Sequence, residues 1–573
     1  MLAPARMGPD ERAEAWRSLQ EDADVDVLVV GGGVTGAGVA LDAATRGLKV
    51  VLVEQRDFGS GTSSRSSKLF HGGLRYLEQL NFSLVREALR ERELMLTRLA
   101  PHLVKPVSFL YPLKHRFWER PYVTAGLTLY DTMAGASSLP RHRQLSRRGA
   151  LKLAPALRKD ALAGALRYYD AQADDARHTM MLARTAATYG ASVLASAKVT
   201  GFVHAGERVV GATVQDVETG DSATISAKVV INCTGVWTDD IQKLAGGRGQ
   251  FNVRASKGVH IVFPRDRLNS ETGMILRTEK SVLFVIPWGT HWIIGTTDTE
   301  WELDRAHPAA SRADIDYILE HINTVLTTPL THDDIEGVYA GLRPLLAGES
   351  EATSNLSREH AVARPQPGLI SIAGGKYTTY RVMAADAVDA ARADLSAHVP
   401  DSVTDHIPLV GAEGYQALTN QVELIARNRE LPTWRITHLL DRYGALMQEV
   451  LGLADEDPSL LEPLPGAEEY LKVELVYAAS HEGALHLDDL LSRRTRISIE
   501  AHDRGVDCAD DAARLVAPVL GWDERRVEDE VAAYRARVAA ERESQAEGDD
   551  LAANADRLAA PDIRARAVGR ALD

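Results

Sequence analysis

Residues 27–54 read VLVVGGGVTGAGVALDAATRGLKVVLVE, which is the pattern of a strand, a glycine-rich turn, a helix and a second strand. Gly31, Gly33 and Gly36 have the GxGxxG spacing. This spacing allows a tight turn, lets a pyrophosphate approach backbone N–H groups, and packs the helix on the strand. Because β-branched residues precede the glycines and a helical pattern follows to about residue 46, the context favours a dinucleotide site.

The second strand of this unit ends on an acidic residue. Glu54 lies eighteen residues past Gly36, about where a carboxylate reaches the ribose hydroxyls of an adenine dinucleotide. The alternative is an ordinary βαβ unit in which the glycines serve only packing. The acid together with the glycines favours the dinucleotide site.

The next segment, residues 56–78, reads RDFGSGTSSRSSKLFHGGLRYLE and is dense in small hydroxyl residues and glycines. Its backbone and hydroxyl donors could bind a pyrophosphate and let a flat ring lie against the main chain. A helix is expected from about residue 74. A flexible linker is the alternative, but Lys68, His71, Arg75 and Tyr76 in one short span are not typical of a linker.

Six blocks of the sequence resemble the FAD-dependent glycerol-3-phosphate dehydrogenases of the D-amino-acid-oxidase-like flavoprotein group. They are GGGVTGAGVALDAATRGL (31–48), TSSRSSKLFHGGLRYLE (62–78), INCTGVWTD (231–239), SKGVHIV (256–262), GLRPL (341–345) and GGKYTTYR (374–381). The blocks follow one another in the order expected of that family. The resemblance implies FAD as the cofactor.

The resemblance also assigns residues to the FAD site, and Glu54 is among them for the reason given above. The expected FAD contacts are Gly31, Gly32, Gly33, Thr35, Gly36, Glu54, Gln55, Thr62, Ser63, Ser67, Lys68, Leu69, His71, Gly72, Gly235, Trp237, Gly375, Lys376, Tyr377 and Thr378. A reduced flavin carries negative charge, which Lys376 and a helix N-terminus after the Gly-Gly turn would stabilise. No metal site is expected.

The activity implied by the resemblance is oxidation of sn-glycerol 3-phosphate to dihydroxyacetone phosphate, with electrons passed to a membrane quinone. Such a reaction needs a proton acceptor, a group that stabilises the oxyanion and a phosphate clamp. His260 is the candidate proton acceptor, although many strand histidines only complete a hydrogen-bond network. Arg343 is expected to bind the oxygen or the phosphate. Arg75 and Tyr76 are assigned to the phosphate, and Lys376 to the flavin or the substrate.

The chain of 573 residues is longer than one hydrophobic core usually organises. We predict an α/β, Rossmann-like FAD-binding domain interleaved with an antiparallel-sheet substrate domain, followed by an all-α C-terminal domain. The expected boundaries are an N-terminal, partly helical extension at 1–23, the two interleaved domains at 24–400, the helical domain at 401–545 and a fraying tail at 546–573. Within the interleaved part, the flavin segments are about 24–100, 160–250 and 355–395, and the substrate segments about 101–159 and 251–354.

Alternating apolar and polar residues predict the strands of both sheets. In the substrate region, strands are expected at 258–264, 273–278, 282–288 and 291–300. Residues 191–235 predict a series of short strands with turns at Gly201, Gly206 and Gly220.

The amino-acid composition limits which partners the protein is expected to bind and in which cellular compartment it is expected to lie. The formal net charge of −15 argues against nucleic acid, which requires a basic surface. Two cysteines, Cys233 and Cys508, are too few for a disulfide framework or a metal cluster and fit a reducing cytoplasm. The N-terminal stretch lacks the apolar core of a signal peptide, and no run of apolar residues is long enough to span a bilayer. A homodimer is compatible with the sequence.

Residues 98–159 combine basic and apolar side chains in an otherwise acidic chain. The basic residues are Lys105, Lys114, Arg116, Arg120, Arg141, Arg143, Arg147, Arg148, Lys152, Arg158 and Lys159, and the apolar ones are Phe109, Tyr111, Phe117, Trp118, Tyr122 and Leu127. This combination predicts contact with anionic lipid, which would place the protein peripherally on the inner face of the cell membrane. The alternative is a solvated loop that closes over the substrate.

Two other functions are compatible with the sequence. The first is an oxidase that returns electrons to O₂ rather than to quinone. The second is a non-catalytic flavin- or phospholipid-binding protein in which His260 is a core residue. A separate basic cluster, Arg493, Arg494 and Arg496, is expected to be exposed on a helix, with packing against the catalytic domains as the alternative.

Overall fold

A computed structural model describes residues 2–21, 23–73, 81–114, 119–135, 138–246, 251–278, 282–346, 360–395 and 398–565. The strands are β1 (Asp24–Val30), β2 (Val50–Val53), β3 (Leu69–Phe70), β4 (Val104–Leu113), β5 (Arg143–Ser146), β6 (Gly164–Ala173), β7 (Ser192–Leu194), β8 (Ala197–Ala205), β9 (Arg208–Asp216), β10 (Ser222–Asn232), β11 (Val253–Pro264), β12 (Gly273–Arg277), β13 (Val282–Trp288), β14 (His291–Gly295), β15 (Thr299–Trp301), β16 (Gly337–Leu346), β17 (His360–Gln366), β18 (Leu369–Gly374), β19 (Pro463–Leu464) and β20 (Ala467–Leu471).

The α-helices are α1 (Pro9–Glu21), α2 (Val34–Thr45), α3 (Phe82–Leu94), α4 (Glu119–Met133), α5 (Arg147–Leu153), α6 (Asp175–Thr188), α7 (Thr238–Leu244), α8 (Arg312–Asn323), α9 (Tyr380–Ala391), α10 (Tyr415–Thr419), α11 (Val422–Asn428), α12 (Thr433–Tyr443), α13 (Met447–Leu453), α14 (Lys472–His481), α15 (Leu487–Asp489), α16 (Ile497–Glu500), α17 (Ala509–Leu520), α18 (Glu524–Ser544) and α19 (Asp550–Leu558). Short 3₁₀ and π turns connect several of them.

The first sheet contains the dinucleotide-type unit. Its strand order is β17-β18-β10-β1-β2-β7, and β18, β10, β1, β2 and β7 run parallel to one another. Helices α2, α6 and α9 pack together on one face, over buried residues such as Val27 and Leu52. Helix α1 covers part of the other face through Trp16 and Leu19. Because both faces are covered, β1 and β2 read as almost continuous apolar runs.

The second sheet has the order β15-β11-β14-β13-β12-β4-β6-β3, with β16 paired to β11 and β5 to β6. Its pairs are antiparallel except β4 with β12. The expected strands of the substrate region are present as β11 to β15. Strand β6 pairs with β4 along its whole length, so Gly164–Ala173 belongs to this sheet and not to the flavin segments, to which the sequence analysis assigned it. Gly201 also differs from the prediction, since it lies within β8 at a register shift rather than in a turn.

The C-terminal part of the chain is helical from α10 to α18, as expected, with the small hairpin β19–β20 added. The prediction of a fraying tail is wrong as far as residue 565. Helix α19 packs on α18, Asp550 forms an ion pair with Lys257, and Arg564 lies 2.8 Å from Asp489. Buried charge pairs thus anchor the tail to both the second sheet and the helical domain.

None of the described helices is both long enough and apolar enough to cross a bilayer. Cys233 and Cys508 are buried and unbridged. Burial raises the pKa of both thiols above the ordinary range, so both are expected to stay protonated and to serve as small apolar side chains.

Candidate functional site

A cavity of about 1220 Å³ extends from the first βαβ unit to the second sheet. Gly31, Gly33 and Glu54 of the first unit line it, and so do His260 and Arg343 of the second sheet. Cavities that hold one drug-sized ligand are usually about 300–1,000 Å³. This cavity therefore has room for a dinucleotide and a small substrate together.

The glycine turn between β1 and α2 brings the backbone to the cavity wall. Gly31 has a φ of +105°, a conformation that glycine adopts at little cost. A Cβ atom on Gly36 would lie 1.8 Å from the carbonyl oxygen of Gly31, so only glycine permits this packing of α2 on the turn. The backbone N–H of Val34, at the start of α2, donates to Ser63 Oγ at 2.9 Å. The hydroxyl-rich loop, residues 56–68, is thereby fixed to the helix N-terminus.

Glu54 presents its carboxylate to the cavity from the end of β2. One oxygen accepts the N–H of Gly32 at 2.7 Å and the other accepts the N–H of Arg56 at 2.9 Å. These bonds fix the carboxylate orientation and leave lone pairs that can accept ribose hydroxyls. This position is the one expected from the sequence motif.

Two half-buried arginines in the cavity wall were not predicted from the sequence. Arg56 and Arg65 each donate to the carbonyl oxygen of Ala306 at 3.2 Å, and Arg56 also lies over the Trp237 ring. In the part of the chain that is described, neither guanidinium forms an ion pair with a carboxylate. Burial lowers the pKa of both, that of Arg65 to about 9 with repulsion from Arg56 as a further cause. Two such cations suit a diphosphate. The sequence offered a clue to both arginines: Arg56 lies two residues after Glu54, and Arg65 lies within the hydroxyl-rich loop.

His260 lies in β11 between two neighbouring strands that determine where its ring can go. Its partners in the register are Gly295 in β14 and Tyr339 in β16. A Cβ atom on Gly295 would lie 2.4 Å from the imidazole, while the Tyr339 ring stacks on the imidazole. His260 Nε2 and Ser67 Oγ share a hydrogen bond of 2.9 Å. The ring is therefore held in one orientation.

The electrostatic surroundings of His260 favour its neutral form. Burial is the main cause, and the positive charges of Arg343 and Lys68 add to it, so the pKa of His260 is held well below its ordinary value. A neutral imidazole has one ring nitrogen that can accept a proton. His260 is thus in the protonation state that a proton acceptor requires.

Arg343 reaches the cavity from β16. Its guanidinium lies 3.1 Å from Thr296 Oγ1 and 3.6 Å from Asp298 Oδ1. A Cβ atom on Gly258 would lie 2.7 Å from the same guanidinium, so the glycine of the SKGVHIV block makes room for it. These contacts orient a permanently charged fork that can bind an oxyanion by two bonds.

The turn after β18 supplies the remaining wall. Gly374 and Gly375 have φ values of +76° and +81°, and Lys376, Tyr377 and Thr378 follow them into the cavity lining. The Tyr377 hydroxyl donates to the carbonyl oxygen of Asp175 at 2.7 Å. The expected turn and the helix after it, α9, are both present.

Most residues assigned to the FAD site lie in the cavity wall. They are Gly31, Gly33, Thr35, Glu54, Gln55, Thr62, Ser63, Ser67, Leu69, His71, Gly235, Trp237, Gly375, Lys376, Tyr377 and Thr378. Their contact with FAD stays a prediction. Arg75 and Tyr76 lie outside the described residues.

Four assigned residues do not line the cavity. Gly32 and Gly36 serve the turn and its packing, as described above. Gly72 donates its N–H to the Tyr130 hydroxyl at 2.9 Å. Lys68 is buried and lies 2.8 Å from Asp175, and its contact with FAD stays a prediction. The N–H of Gly32, the N–H of Gly72 and the ammonium group of Lys68 are thus each bonded to a group of the protein.

Among the described residues of the segment 98–159, the predicted aromatic and apolar residues do not all lie at the surface. Phe109, Tyr111 and Leu127 are buried in the second sheet and under α4, so their prediction as surface residues is wrong. Arg116, Phe117 and Trp118 lie outside the described residues. In the described part of this segment, the large exposed apolar residues are Tyr122 and Leu129 on α4, and both also line the cavity.

The arginine cluster near residue 494 is buried, which makes the expectation of an exposed helix face wrong. Arg493 and Arg494 both form ion pairs with Asp57, three residues past Glu54. Arg496 forms ion pairs with Asp174 and Asp175. The sequence signal was a triplet of arginines in one short segment. Arg493 also pairs with the nearby Asp488 and Asp489, but the partners in the cofactor domain are more than three hundred residues away.

Comparison with known proteins gives consistent matches over both parts of the chain. A family model described as FAD dependent oxidoreductase matches residues 26–381, and one described as C-terminal domain of alpha-glycerophosphate oxidase matches residues 402–527. The chain is 62% identical over 561 residues to glycerol-3-phosphate dehydrogenase 2 of Mycobacterium tuberculosis, which covers 98% of this chain and 96% of that protein.

More distant proteins match over similar lengths. The mitochondrial glycerol-3-phosphate dehydrogenase of Bos taurus is 36% identical over 554 residues, or 93% of this chain and 75% of that protein. The solved structure of the glycerol-3-phosphate dehydrogenase from Bacillus halodurans, complexed with FAD, matches with a TM-score of 0.77 and 29% identity. That match covers 93% of this chain and 98% of the other.

Proposed function

Because this chain belongs to the FAD-dependent oxidoreductases and, among them, to the glycerol-3-phosphate dehydrogenases, we propose that it oxidises sn-glycerol 3-phosphate to dihydroxyacetone phosphate and passes the electrons to a membrane quinone. The observation that carries the proposal is a neutral, oriented His260 and a charged Arg343 in the wall of one cavity with the dinucleotide-type turn.

FAD is the cofactor of this family, and the cavity fits it. The backbone at Gly31 and Gly33 would meet the pyrophosphate, the Glu54 carboxylate the ribose, and Arg56 with Arg65 would neutralise the phosphate charge. When bound, FAD supplies the acceptor for the hydride that leaves the substrate carbon.

His260 accepts the proton of the substrate hydroxyl in this proposal. In the free protein its pKa is held low partly by Arg343. A phosphate dianion bound at Arg343 would offset that positive charge and raise the pKa, since nearby negative charge favours the imidazolium. Binding of the correct substrate would therefore make the histidine a better base.

Arg343 binds the phosphate or the oxygen on which negative charge develops. Its fork is oriented by Thr296 and Asp298 before any ligand arrives, and such preorganisation removes part of the cost of binding an anion. Arg75 and Tyr76 are proposed as further phosphate ligands on the basis of the family motif, and Lys376 as a group near the flavin.

The exposed apolar face of α4 supports a membrane quinone as the electron acceptor. Tyr122 is 54% exposed and Leu129 40% exposed, and both lie at the cavity. Basic residues nearby in sequence, including Arg143, Arg147 and Arg148, are exposed. We propose that this face lies on an anionic membrane surface at the inner side of the cell membrane, where a quinone could approach the cavity.

Steady-state turnover of the FAD-loaded protein tests this function. With glycerol 3-phosphate, a soluble quinone analogue should be reduced in step with formation of dihydroxyacetone phosphate, with little peroxide in air. Stoichiometric peroxide without quinone reduction would favour the oxidase. A second assay is binding to vesicles, which should require anionic lipid and weaken with salt. Equal binding to neutral vesicles, or none to either, would contradict the membrane proposal.

A further inference from the structure

Arg496 extends from the C-terminal helical domain into the cofactor domain. Its guanidinium lies 3.0 Å from Asp174 Oδ1 through Nε and 2.5 Å from Asp175 Oδ1 through Nη2, and it donates to the carbonyl oxygen of Ser64 at 3.3 Å. The side chain is almost completely buried. Both carboxylates stand at the start of α6, so one arginine joins the two domains beside the hydroxyl-rich loop.

Asp175 connects this arginine to that loop. Its second oxygen accepts the N–H and the hydroxyl of Ser66 at 2.8 and 2.7 Å. Its first oxygen also accepts from Lys68 Nζ at 2.8 Å. Because the carboxylate is buried, losing one of its two cationic partners would leave its charge poorly compensated and would release it from the helical domain.

Residues 66–68 hold the candidate proton acceptor. Ser67 lies between Ser66 and Lys68, which both contact Asp175, and it shares a hydrogen bond with His260. Lys68 has a φ of +57°, which is costly for a side chain with a Cβ and persists only where surrounding contacts enforce it. Its ammonium group lies 5.0 Å from the centre of the Tyr339 ring, which stacks on His260. The N–H of Lys68 donates to Ser66 Oγ at 2.9 Å, and Asp175 holds both that hydroxyl and the Lys68 ammonium group, so Asp175 contributes to the contacts that enforce this backbone.

We propose that Arg496 is a positioning residue for flavin reduction: through Asp175 it fixes residues 66–68 and with them the Ser67–His260 hydrogen bond. The inference rests on the proposed function, in which His260 accepts the proton. It gives the C-terminal domain a part in the chemistry without any contact with substrate or cofactor. Lysine cannot replace Arg496, since a point charge does not reproduce two directed bonds to two carboxylates.

The test compares FAD-loaded Arg496→Met and Arg496→Lys with wild type in anaerobic flavin reduction by glycerol 3-phosphate. We expect both variants to lower the limiting rate by about tenfold to a hundredfold, as small displacements of catalytic groups do. The half-saturating substrate concentration should change little. Adding Ser67→Ala to Arg496→Met should cause almost no further loss, because both changes break the same chain of contacts.

Arg435→Met is the matched control. Arg435 is another buried arginine of the C-terminal domain, but it donates to the carbonyl oxygens of Glu468 and Glu469 within that domain. Its replacement should lower thermal stability and leave the limiting rate as in wild type. A wild-type rate in both Arg496 variants, or losses that multiply when Ser67→Ala is added, would overturn the proposal. If Arg496→Met does not fold, Arg496→Lys decides.

The visible spectrum of the oxidised flavin gives a readout that does not depend on activity. Ser67 and Leu69 line the cavity on either side of Lys68, so Arg496→Lys and Ser67→Ala should change the flavin band shape in the same way and Arg435→Met should not. If wild type is not reduced by glycerol 3-phosphate, the proposed function fails, while these spectra still decide the role of Arg496. Identical spectra in all variants would contradict it.

Discussion

The imidazole of His260 lies parallel to the phenol ring of Tyr339, with 4.8 Å between the ring centroids and 11° between the ring planes. The two residues are directly opposite in the pairing of β11 with β16. The Tyr339 hydroxyl donates to the carbonyl oxygen of Ser66 at 3.0 Å. The Tyr339 ring and the Ser67 hydroxyl thus hold the imidazole from two sides.

Replacing the proton acceptor should stop most of the chemistry and leave the cofactor bound. His260→Ala should lower the limiting rate of flavin reduction by about 10²–10⁴-fold, the usual contribution of a positioned general base. Stopped-flow absorbance measures this rate. His332→Ala, a change at a half-exposed histidine paired with Asp316 and outside the cavity lining, is the control. A His260→Ala protein that reduces its flavin as fast as the control would make His260 a core residue.

Removing the ribose carboxylate should weaken FAD binding. Glu54→Ala should cost about 1–3 kcal/mol of binding free energy, as expected for hydrogen bonds to a charged group. Equilibrium dialysis followed by flavin fluorescence measures the dissociation constant. Glu207→Ala, at an exposed carboxylate outside the cavity lining, should leave FAD binding unchanged. Flavin content equal to wild type after long dialysis of Glu54→Ala would remove Glu54 from the cofactor site.

Arg343→Ala should impair the reaction through the phosphate or the oxyanion. Loss of one partner of a buried charge pair costs about 2–5 kcal/mol, so the efficiency of flavin reduction should fall by more than about tenfold. Arg343→Lys should recover part of the loss, since charge remains and the fork does not. If Arg343 acts only on the phosphate, the slow reaction with glycerol should be unchanged. Unaltered efficiency with glycerol 3-phosphate would make Arg343 structural.

The buried His486 should make stability depend on pH. It lies between Glu530 and Glu218, each at 2.8 Å. Burial and Arg564 favour the neutral imidazole, but the two carboxylates outweigh them and raise the pKa of His486 to about 9. A folded-state pKa above the unfolded value of 6.5 gives a stabilisation that is complete below pH 6.5 and is lost as pH rises to about 9.

Thermal unfolding of wild type and His486→Gln at pH 6, 8 and 9.5 checks this dependence. The difference in stability between the two proteins should be largest at pH 6 and should shrink toward pH 9.5. A difference that grows with pH would mean that the buried histidine is neutral in the folded protein.

The sequence was sufficient for the parts of the fold that are determined locally. The turn at Gly31, the length of α2 and the strands β11 to β14 follow from glycine spacing and from the alternation of apolar residues. The same holds for the placement of Glu54, His260 and Arg343 in one cavity, because the family motifs contain them. Strand β6 was misassigned because its neighbour in the sheet, β4, is set by pairing between distant segments.

The buried ion pairs around Asp175 could not be predicted from the sequence, for a physical reason. Arg496 and Asp175 are more than three hundred residues apart, and nothing in either segment shows that the other will neutralise it. A charged side chain is exposed by default, so burial becomes visible only with its partner. The ion pair of Lys68 with Asp175 was missed for the same reason, since it depends on how α6 meets the loop.

The central claim is that this cavity binds FAD and transfers a hydride to it from glycerol 3-phosphate. The most direct measurement is the visible absorbance of the FAD-loaded protein before and after anaerobic addition of glycerol 3-phosphate. We predict loss of the oxidised flavin band, formation of one dihydroxyacetone phosphate per flavin reduced, and little change with glycerol. A flavin band that stays unchanged at saturating glycerol 3-phosphate would contradict the account.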